Sequence, residues 1–215
     1  MKKLIIFLLL LASIANAQIV DTESKAILDR LSAKMNSLKT MRIKYTYTHE
    51  NLQNKSKSSD DGLILIKDNK YKVSMLGTEI YSDGLAIWTY LKEQKELTIV
   101  PSGGNKNSLD FTNPRNLLSF YNKDFKYNYV GEENVAGKSY YKIDLYPKNL
   151  KSSYSRIRLV IDKSQDQLTL MKVFLSDGNH FTFEIKEFTS NLLINDQELI
   201  FDTVKNKDVE IIDMR

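Results

Sequence analysis

Beyond residue 40 the chain is a succession of short runs in which apolar and polar residues alternate, each closed by a turn-forming cluster. Alternation at period two sends successive side chains to opposite faces of a strand. Connections this short join antiparallel neighbours, because a parallel pair needs a crossover of about a dozen residues or more. Met41, Ile43, Tyr45 and Tyr47 alternate with Arg42, Lys44, Thr46 and Thr48. Strand-like runs follow at Leu63–Lys67, Tyr71–Leu76, Glu79–Ser82, Leu85–Leu91 and Glu96–Val100. A second set comprises Tyr127–Gly131, Ser139–Tyr146, Arg156–Asp162, Gln167–Leu175, His180–Phe188 and Glu198–Phe201. Asp83-Gly84 and Asp177-Gly178 supply tight turns, since both residue types tolerate positive φ. The polar stretch Asn54–Asp61 reads as a hairpin loop, and the polar, glycine-containing residues 101–112 as a loop.

One long helical pattern precedes the strands. Over residues 22–39, Ile27, Leu28, Leu31, Met35 and Leu38 recur at three- and four-residue spacing, which makes an amphipathic helix with its apolar stripe on the sheet. A short helix opens at Asn113-Pro114, where proline suits the first helical position, and Leu117, Leu118, Phe120 and Tyr121 give it an apolar side. Several strands are apolar on both faces, Leu63-Ile64-Leu65-Ile66 most plainly. A sheet with one wetted face would alternate more cleanly, so either the sheet curls around an apolar interior wide enough for a ligand, or it is a curved sheet whose convex face tolerates aromatics or contacts a partner. The expected fold is mainly β (α+β): a single large antiparallel sheet of about eleven strands, with helices on one face.

The first 17 residues stand apart. Lys2 and Lys3 precede the apolar run Leu4–Ala12, and Ala15-Asn16-Ala17 is a small-x-small site, so residues 1–17 read as a cleaved secretory signal peptide and 18–215 as one domain. The run is too short to span a bilayer. Without Lys2 and Lys3 the net charge falls from +4 to +2, too little for nucleic-acid binding. The expected location is the periplasm, and the expected state a monomer.

Little in the residues suggests catalysis. There is no cysteine, hence no disulfide, thiolate nucleophile or cysteine zinc site. The two histidines, His49 and His180, sit beside turns. No G-x-S-x-G elbow occurs, Asp60-Asp61 and Glu132-Glu133 are adjacent rather than facing across a cleft, and Asp162, Asp166 and Asp177 do not match a calcium loop. Gly103-Gly104 lacks the strand, lysine and helix of a phosphate loop. Neither metal nor cofactor is expected, and the reading is a binding protein rather than an enzyme. The twelve tyrosines, nine phenylalanines and single tryptophan favour apolar binding.

The segment Ser82-Asp83-Gly84-Leu85-Ala86-Ile87-Trp88-Thr89-Tyr90, taken with the helix Ala26–Leu38, the strand Met41–Tyr47, the G-x-L-x-L-K-like strand Gly62–Lys67, Asn113-Pro114-Arg115-Asn116-Leu117-Leu118, Leu159–Asp162, Leu168–Met171 and Asn191–Phe201, resembles the periplasmic outer-membrane lipoprotein carrier (LolA) family in order over nearly the whole mature chain. The resemblance implies an unclosed β-barrel with the long N-terminal helix and the short central helix as a lid over an apolar cavity. It implies acylated lipoproteins as cargo, accepted from an inner-membrane lipoprotein-releasing ABC transporter (LolCDE-like) and passed to an outer-membrane receptor or the outer membrane itself. Two features depart from the pattern. Asp68-Asn69 stands where the family has Arg-Pro, whose arginine latches the lid. Val204-Lys205-Asn206-Lys207 stands where the family has Pro-x-Gly.

On this reading the lid contacts are Ile27, Leu31, Met35, Leu117, Leu118 and Phe120. The sheet side of a lipid-binding cavity is expected from Tyr45, Leu63, Leu65, Val73, Met75, Ile87 and Trp88, each subject to a one-residue parity, because a slip of one flips a side chain to the other face. Two alternatives accompany it. One is a carrier or sensor of another lipid or glycolipid, although the sensors of this type carry a second domain for which no room is expected after Arg215. The other is an enzyme on a lipid or polysaccharide, which would need a polar constellation inside the cavity.

Overall fold

The computed structural model describes residues 22–102 and 121–215. The signal-peptide segment 1–17, the loop 103–112 and the short-helix residues Leu117, Leu118 and Phe120 lie outside the described residues.

Helix α1 covers residues 22–37. Twelve strands follow: β1 (Thr40–Asn51), β2 (Ser56–Lys67), β3 (Lys70–Met75), β4 (Thr78–Ser82), β5 (Ala86–Leu91), β6 (Glu96–Pro101), β7 (Phe125–Val135), β8 (Lys138–Pro147), β9 (Tyr154–Asp162), β10 (Gln167–Leu175), β11 (Asn179–Ser190) and β12 (Glu210–Asp213). A single helical turn, α2 (Tyr121–Asp124), leads into β7. All twelve strands form one sheet in the order β12-β6-β5-β4-β3-β2-β1-β11-β10-β9-β8-β7. It consists of two antiparallel meanders, β1–β6 and β7–β11, zipped together where β1 pairs with β11. β12 and β7 are its two edges, so the sheet is open. Bulges at Lys44/Tyr45, Tyr129/Gly131, Leu168/Leu170 and Phe174/Leu175 interrupt the ladders, and each adds local twist and bend.

Three details differ from the sequence reading. The sheet is mixed, because β12 runs parallel to β6. Glu198–Phe201 is not a strand: Asp196–Leu199 is a 3-10 turn, with Asn195 as its cap and Glu198 bonding back to the cap backbone, so a capping box outweighs the weak alternation. Residues 56–61 are strand rather than loop. They pair with β1 by backbone register, and cross-strand side-chain bonds that strand propensity does not register accompany it: Thr46 donates to Asp61 at 2.9 Å, and the Thr48 and Ser59 hydroxyls lie 2.9 Å apart.

The register sorts the side chains into two faces. One row runs Ile43–Ile64–Val73–Ile80–Thr89–Thr98 across the first meander. Another runs Tyr47–Phe183–Met171–Leu159–Ile143–Tyr129 across the second. These rows make the face on which α1 lies, called here the inner face. Residues between them make the outer face: Arg42–Leu65–Lys72–Tyr81–Trp88–Ile99 in the first meander.

That division explains the two-sided apolarity. On the inner face Ile27, Leu28 and Leu31 of α1 are buried against Ile143, Ile157, Leu159, Ile161, Met171 and Val173. On the outer face a C-terminal arm, residues 191–209, covers the first meander. Leu192, Ile194 and Leu199 pack on Leu63 and Leu65, while Phe201 and Val209 pack among Tyr81, Trp88, Tyr90, Leu97 and Ile99. Lys67 fixes the arm by donating to the Ile194 carbonyl at 3.0 Å and to Asp196 at 2.5 Å, and Lys70 donates to the other Asp196 oxygen at 2.8 Å. Hydrogen bonds from these two lysines hold the Asp196 carboxyl down at about 2.

Gly62 marks where the inner face is tightest. A Cβ there would lie 2.2 Å from Cζ of Tyr45, whose ring crosses the strand at that point. Tyr45 is itself buried, so its ring cannot swing clear freely. Gly62→Ala is expected to destabilise the fold by about 1–3 kcal/mol through overpacking, and Tyr45→Leu in the same chain is expected to recover most of it. Urea midpoints of the two variants check this.

Candidate inner-face lipid site

α1 covers one half of the inner face. Its apolar stripe sits on the β8–β10 core, and Met35, with Leu38 just past the helix end, packs near Met41, Ile43, Ile66, Tyr71 and Val73 of the first meander. Polar ties hold the helix at the β9–β10 turn: Arg30 Nε donates to Asp166 at 3.0 Å, and Lys34 Nζ to the Gln165 carbonyl at 2.5 Å. The Tyr121 hydroxyl donates to Asp29, joining α2 to α1. Next to this closed half, the first meander presents Ile64, Met75, Ile80 and Ile87 on the same face, all half-buried.

An aromatic strip runs along the seam between the meanders. Tyr45 and Phe183 have ring centroids 5.9 Å apart, Tyr47 and Phe183 5.3 Å, Tyr47 and Phe181 5.8 Å, and His49 stacks on Phe181 at 5.0 Å. Burial pushes the Tyr45 phenol up to about 12 and raises Tyr47 as well. Both hydroxyls therefore stay neutral at physiological pH, and the strip offers hydrocarbon contact without charge.

The residues expected from sequence fall into three groups. Ile27 and Leu31 lie in the α1 core, and Met35 bridges it to the first meander. Tyr45, Val73, Met75 and Ile87 stand on the inner face. Leu63, Leu65 and Trp88 stand on the outer face, Leu65 and Leu63 beneath Ile194 and Leu199, and Trp88 beside Phe201. Tyr45, Leu63 and Met75 also meet around one hollow of about 440 Å³ beyond the end of β3, rimmed by Lys44, Lys92, Lys186, Asp60 and Asp61. Leu117, Leu118 and Phe120 lie outside the described residues.

Sequence reasoning missed Ile43, Ile64, Ile80, Phe181 and Phe183. Only parity separates Ile64 from Leu63, and in a run apolar at every position parity is invisible. The available signal was Gly62, whose missing side chain admits the Tyr45 ring and so fixes that parity to the face of Ile64. The departure at Asp68 is also placed. It lies in the β2–β3 turn with φ +51° and an exposed side chain, its N–H donating to the Lys39 carbonyl. The ties on α1 come instead from Arg30 and Lys34.

Among the described residues no group of histidine, aspartate and glutamate has the arrangement of a metal site, and no helix is long and apolar enough to cross a membrane. The two histidines face opposite ways on neighbouring strands: His49 shares a 2.8 Å hydrogen bond with Asn179, and His180 packs edge-on against Phe174.

An open twelve-stranded sheet with a helix laid on its inner face is a fold shared with other solved proteins. An uncharacterized conserved protein from Thermus thermophilus superposes over 89% of this chain and 99% of its own, with a TM-score of 0.57 at 15% identity. A LolA superfamily protein from Nitrosomonas europaea covers 83% of this chain and 97% of its own at 10% identity, TM-score 0.43. The lipoprotein LppX of Mycobacterium tuberculosis covers 80% and 98% at 16% identity, TM-score 0.44. The chain belongs to the family described as "-like: Uncharacterized protein", whose model matches residues 69–191. No curated protein matches it.

Proposed function

We propose that this protein is a periplasmic carrier of acyl chains, which binds the lipid of acylated lipoproteins released from the inner membrane and delivers it to the outer membrane, without catalysing a reaction. The observation that carries this reading is the half-buried apolar row Ile64, Met75, Ile80 and Ile87 of the first meander, which α1 leaves uncovered among the described residues and which is continuous with the part that α1 closes. The sequence resemblance to the lipoprotein carriers supports the cargo. It also supports an inner-membrane ABC transporter as donor and an outer-membrane receptor, or the membrane itself, as acceptor.

The magnitudes fit a carrier. Each buried methylene is worth about 0.8 kcal/mol, so three acyl chains with ~45 methylenes would cost on the order of 35 kcal/mol to bring into water. Cargo of this kind does not cross an aqueous gap unaided. Lifting α1 exposes Ile27, Leu28 and Leu31, at roughly 1.5–3 kcal/mol each, or about 5–9 kcal/mol together. One acyl chain of about 14 methylenes, worth roughly 11 kcal/mol, offsets that cost when it takes the place of the helix. A docked α1 thus closes the empty protein, and a loaded protein displaces it.

The test is purification of the protein from its native envelope, followed by mass spectrometry of bound material. Lipoproteins with intact acyl groups are the expected result. A free glycolipid or phospholipid in their place would overturn the cargo assignment and favour a carrier or sensor of that lipid. Protein that is empty, and takes up no triacylated peptide in vitro, would overturn the carrier reading altogether.

A further inference from the structure

We propose that the outer face holds a second hydrocarbon site, a slot beneath the C-terminal arm that takes one acyl chain on an uncharged head group. A hollow of about 420 Å³ lies there, walled by Trp88, Leu97 and Ile99 of the sheet, Leu199 and Phe201 of the arm, and Ile211 of β12. This volume falls in the roughly 300–1,000 Å³ range of small-molecule pockets. The sheet separates it from the inner face: Trp88 pairs with Tyr81 and Ile99, while its neighbour Ile87 points the other way.

The chemistry of the rim chooses the head group. Lys70 and Asp83 are the two charged residues at the hollow, and both are already engaged. Lys70 donates to Asp196 at 2.8 Å, and Asp83 accepts the backbone N–H groups of Leu85 and Ala86 at 2.8 and 2.9 Å. Both charges are thus already compensated within the protein, and an ester or hydroxyl head needs no counter-ion from either. The walls offer water few partners, and an apolar hollow of this kind is better filled by hydrocarbon than by solvent.

The roof is built to stay in place over an occupant. The arm is tied on one side by Lys67 and Lys70 to Asp196, and on the other by Lys95 to Asp208 and the parallel β12–β6 pairing. Between those ties Ile200 borders the hollow while remaining half open to solvent, and Val204 is turned to water, 74% exposed. The arm is therefore fixed at both ends, with Leu199 and Phe201 packed on the sheet as one wall of the hollow.

Trp88 is the chain's one tryptophan, so its fluorescence reports this slot and not the inner face. Titration with 9,10-dibromostearoyl glycerol below its aggregation concentration is expected to quench it at least twofold, with saturation. In a Thr203→Phe/Ile211→Phe variant the midpoint is expected to weaken tenfold or more, while uptake of a radiolabelled triacylated peptide is retained. Both positions line the hollow and are solvent-exposed, and circular dichroism verifies that the variant is folded. Absence of saturable quenching in the wild type, or equal quenching in the filled variant, would overturn the slot. Loss of peptide uptake with quenching intact would count against the inner-face reading alone, so the two proposals fail separately.

Discussion

Leu31→Glu is expected to undock α1 and to lower acyl-chain uptake at least tenfold while leaving the sheet folded. Leu31 is fully buried at the centre of the cluster that joins α1 to β8–β10. An ionised carboxylate there has no partner, and it costs several kcal/mol to bury uncompensated. Detachment is the cheaper outcome, because the helix has only its apolar stripe and a few surface ties to lose. The glutamate's pKa in the docked state is raised by burial, so the destabilisation is full above that raised value and relieved as pH falls toward the ordinary carboxylate range. Hydrogen exchange reads the result directly: α1 amides lose protection at pH 7, and the β8–β10 ladder keeps it. Uptake falls because a charged side chain now lies where hydrocarbon must pass. Leu31→Ala separates a lid from a mere wall. It weakens docking by about 2–5 kcal/mol without adding charge, so a helix that competes with cargo predicts tighter acyl binding, by the population shift of a loosened closed state. A helix that serves only as a wall predicts weaker binding in both variants. Affinities for a fluorescent fatty acyl probe decide between them.

The strand architecture was legible because β1 alternates without a fault and because Asp83-Gly84 and Asp177-Gly178 announce their turns. The amphipathic helix was legible for the same reason, at a different period. What the sequence withheld was the side of the sheet to which each residue belongs. Leu63, Ile64, Leu65 and Ile66 are all large and apolar, so the inner pair, Ile64 and Ile66, looks no different from the outer pair. The covering of the outer face was equally hidden. The arm over residues 191–209 has no periodicity; it is held by Lys67 and Lys70 meeting Asp196 across more than 120 residues of chain, a contact that no local pattern encodes. Trp88 shows the consequence. Its motif was conspicuous and its apolar role readable, yet its face depended on the arm. Residues 56–61 failed for the opposite reason: serine and aspartate are poor strand formers, and it is the partner strand that supplies their bonds.

Asp144→Ala is expected to lower stability by about 3 kcal/mol, and the loss is expected to vanish in acid. Asp144 lies on the outer face of β8, 2% exposed. Arg158 grips both of its oxygens at 2.8 Å, and Arg156 adds a third contact at 3.0 Å. Arg156 in turn lies 4.0 Å over the Phe174 ring. Burial alone would raise this carboxyl, but the two guanidinium groups outweigh it and hold it below the ordinary 3.8. A carboxyl depressed in the folded state contributes stability that is complete above its unfolded value, near 3.8, and is lost as pH falls through the lower folded value. Removing the side chain leaves two half-buried cations facing each other without their shared anion. Because both arginines can still reach water, the cost falls at the lower end of the usual range of about 3–5 kcal/mol for a broken buried pair. In a chain of this size that corresponds to a drop in melting temperature of roughly 6–12 °C at pH 7. As the pH falls below 3.8 and on through the lower folded value, the wild type progressively forfeits the same contribution, and the two melting curves should draw together. A gap that persists unchanged from pH 7 to pH 2.5 would mean that Asp144 acts through packing rather than charge. Asp144→Asn keeps the volume and the acceptor oxygen, so it is expected to fall between wild type and alanine at pH 7 and to show no acid-dependent loss at this site.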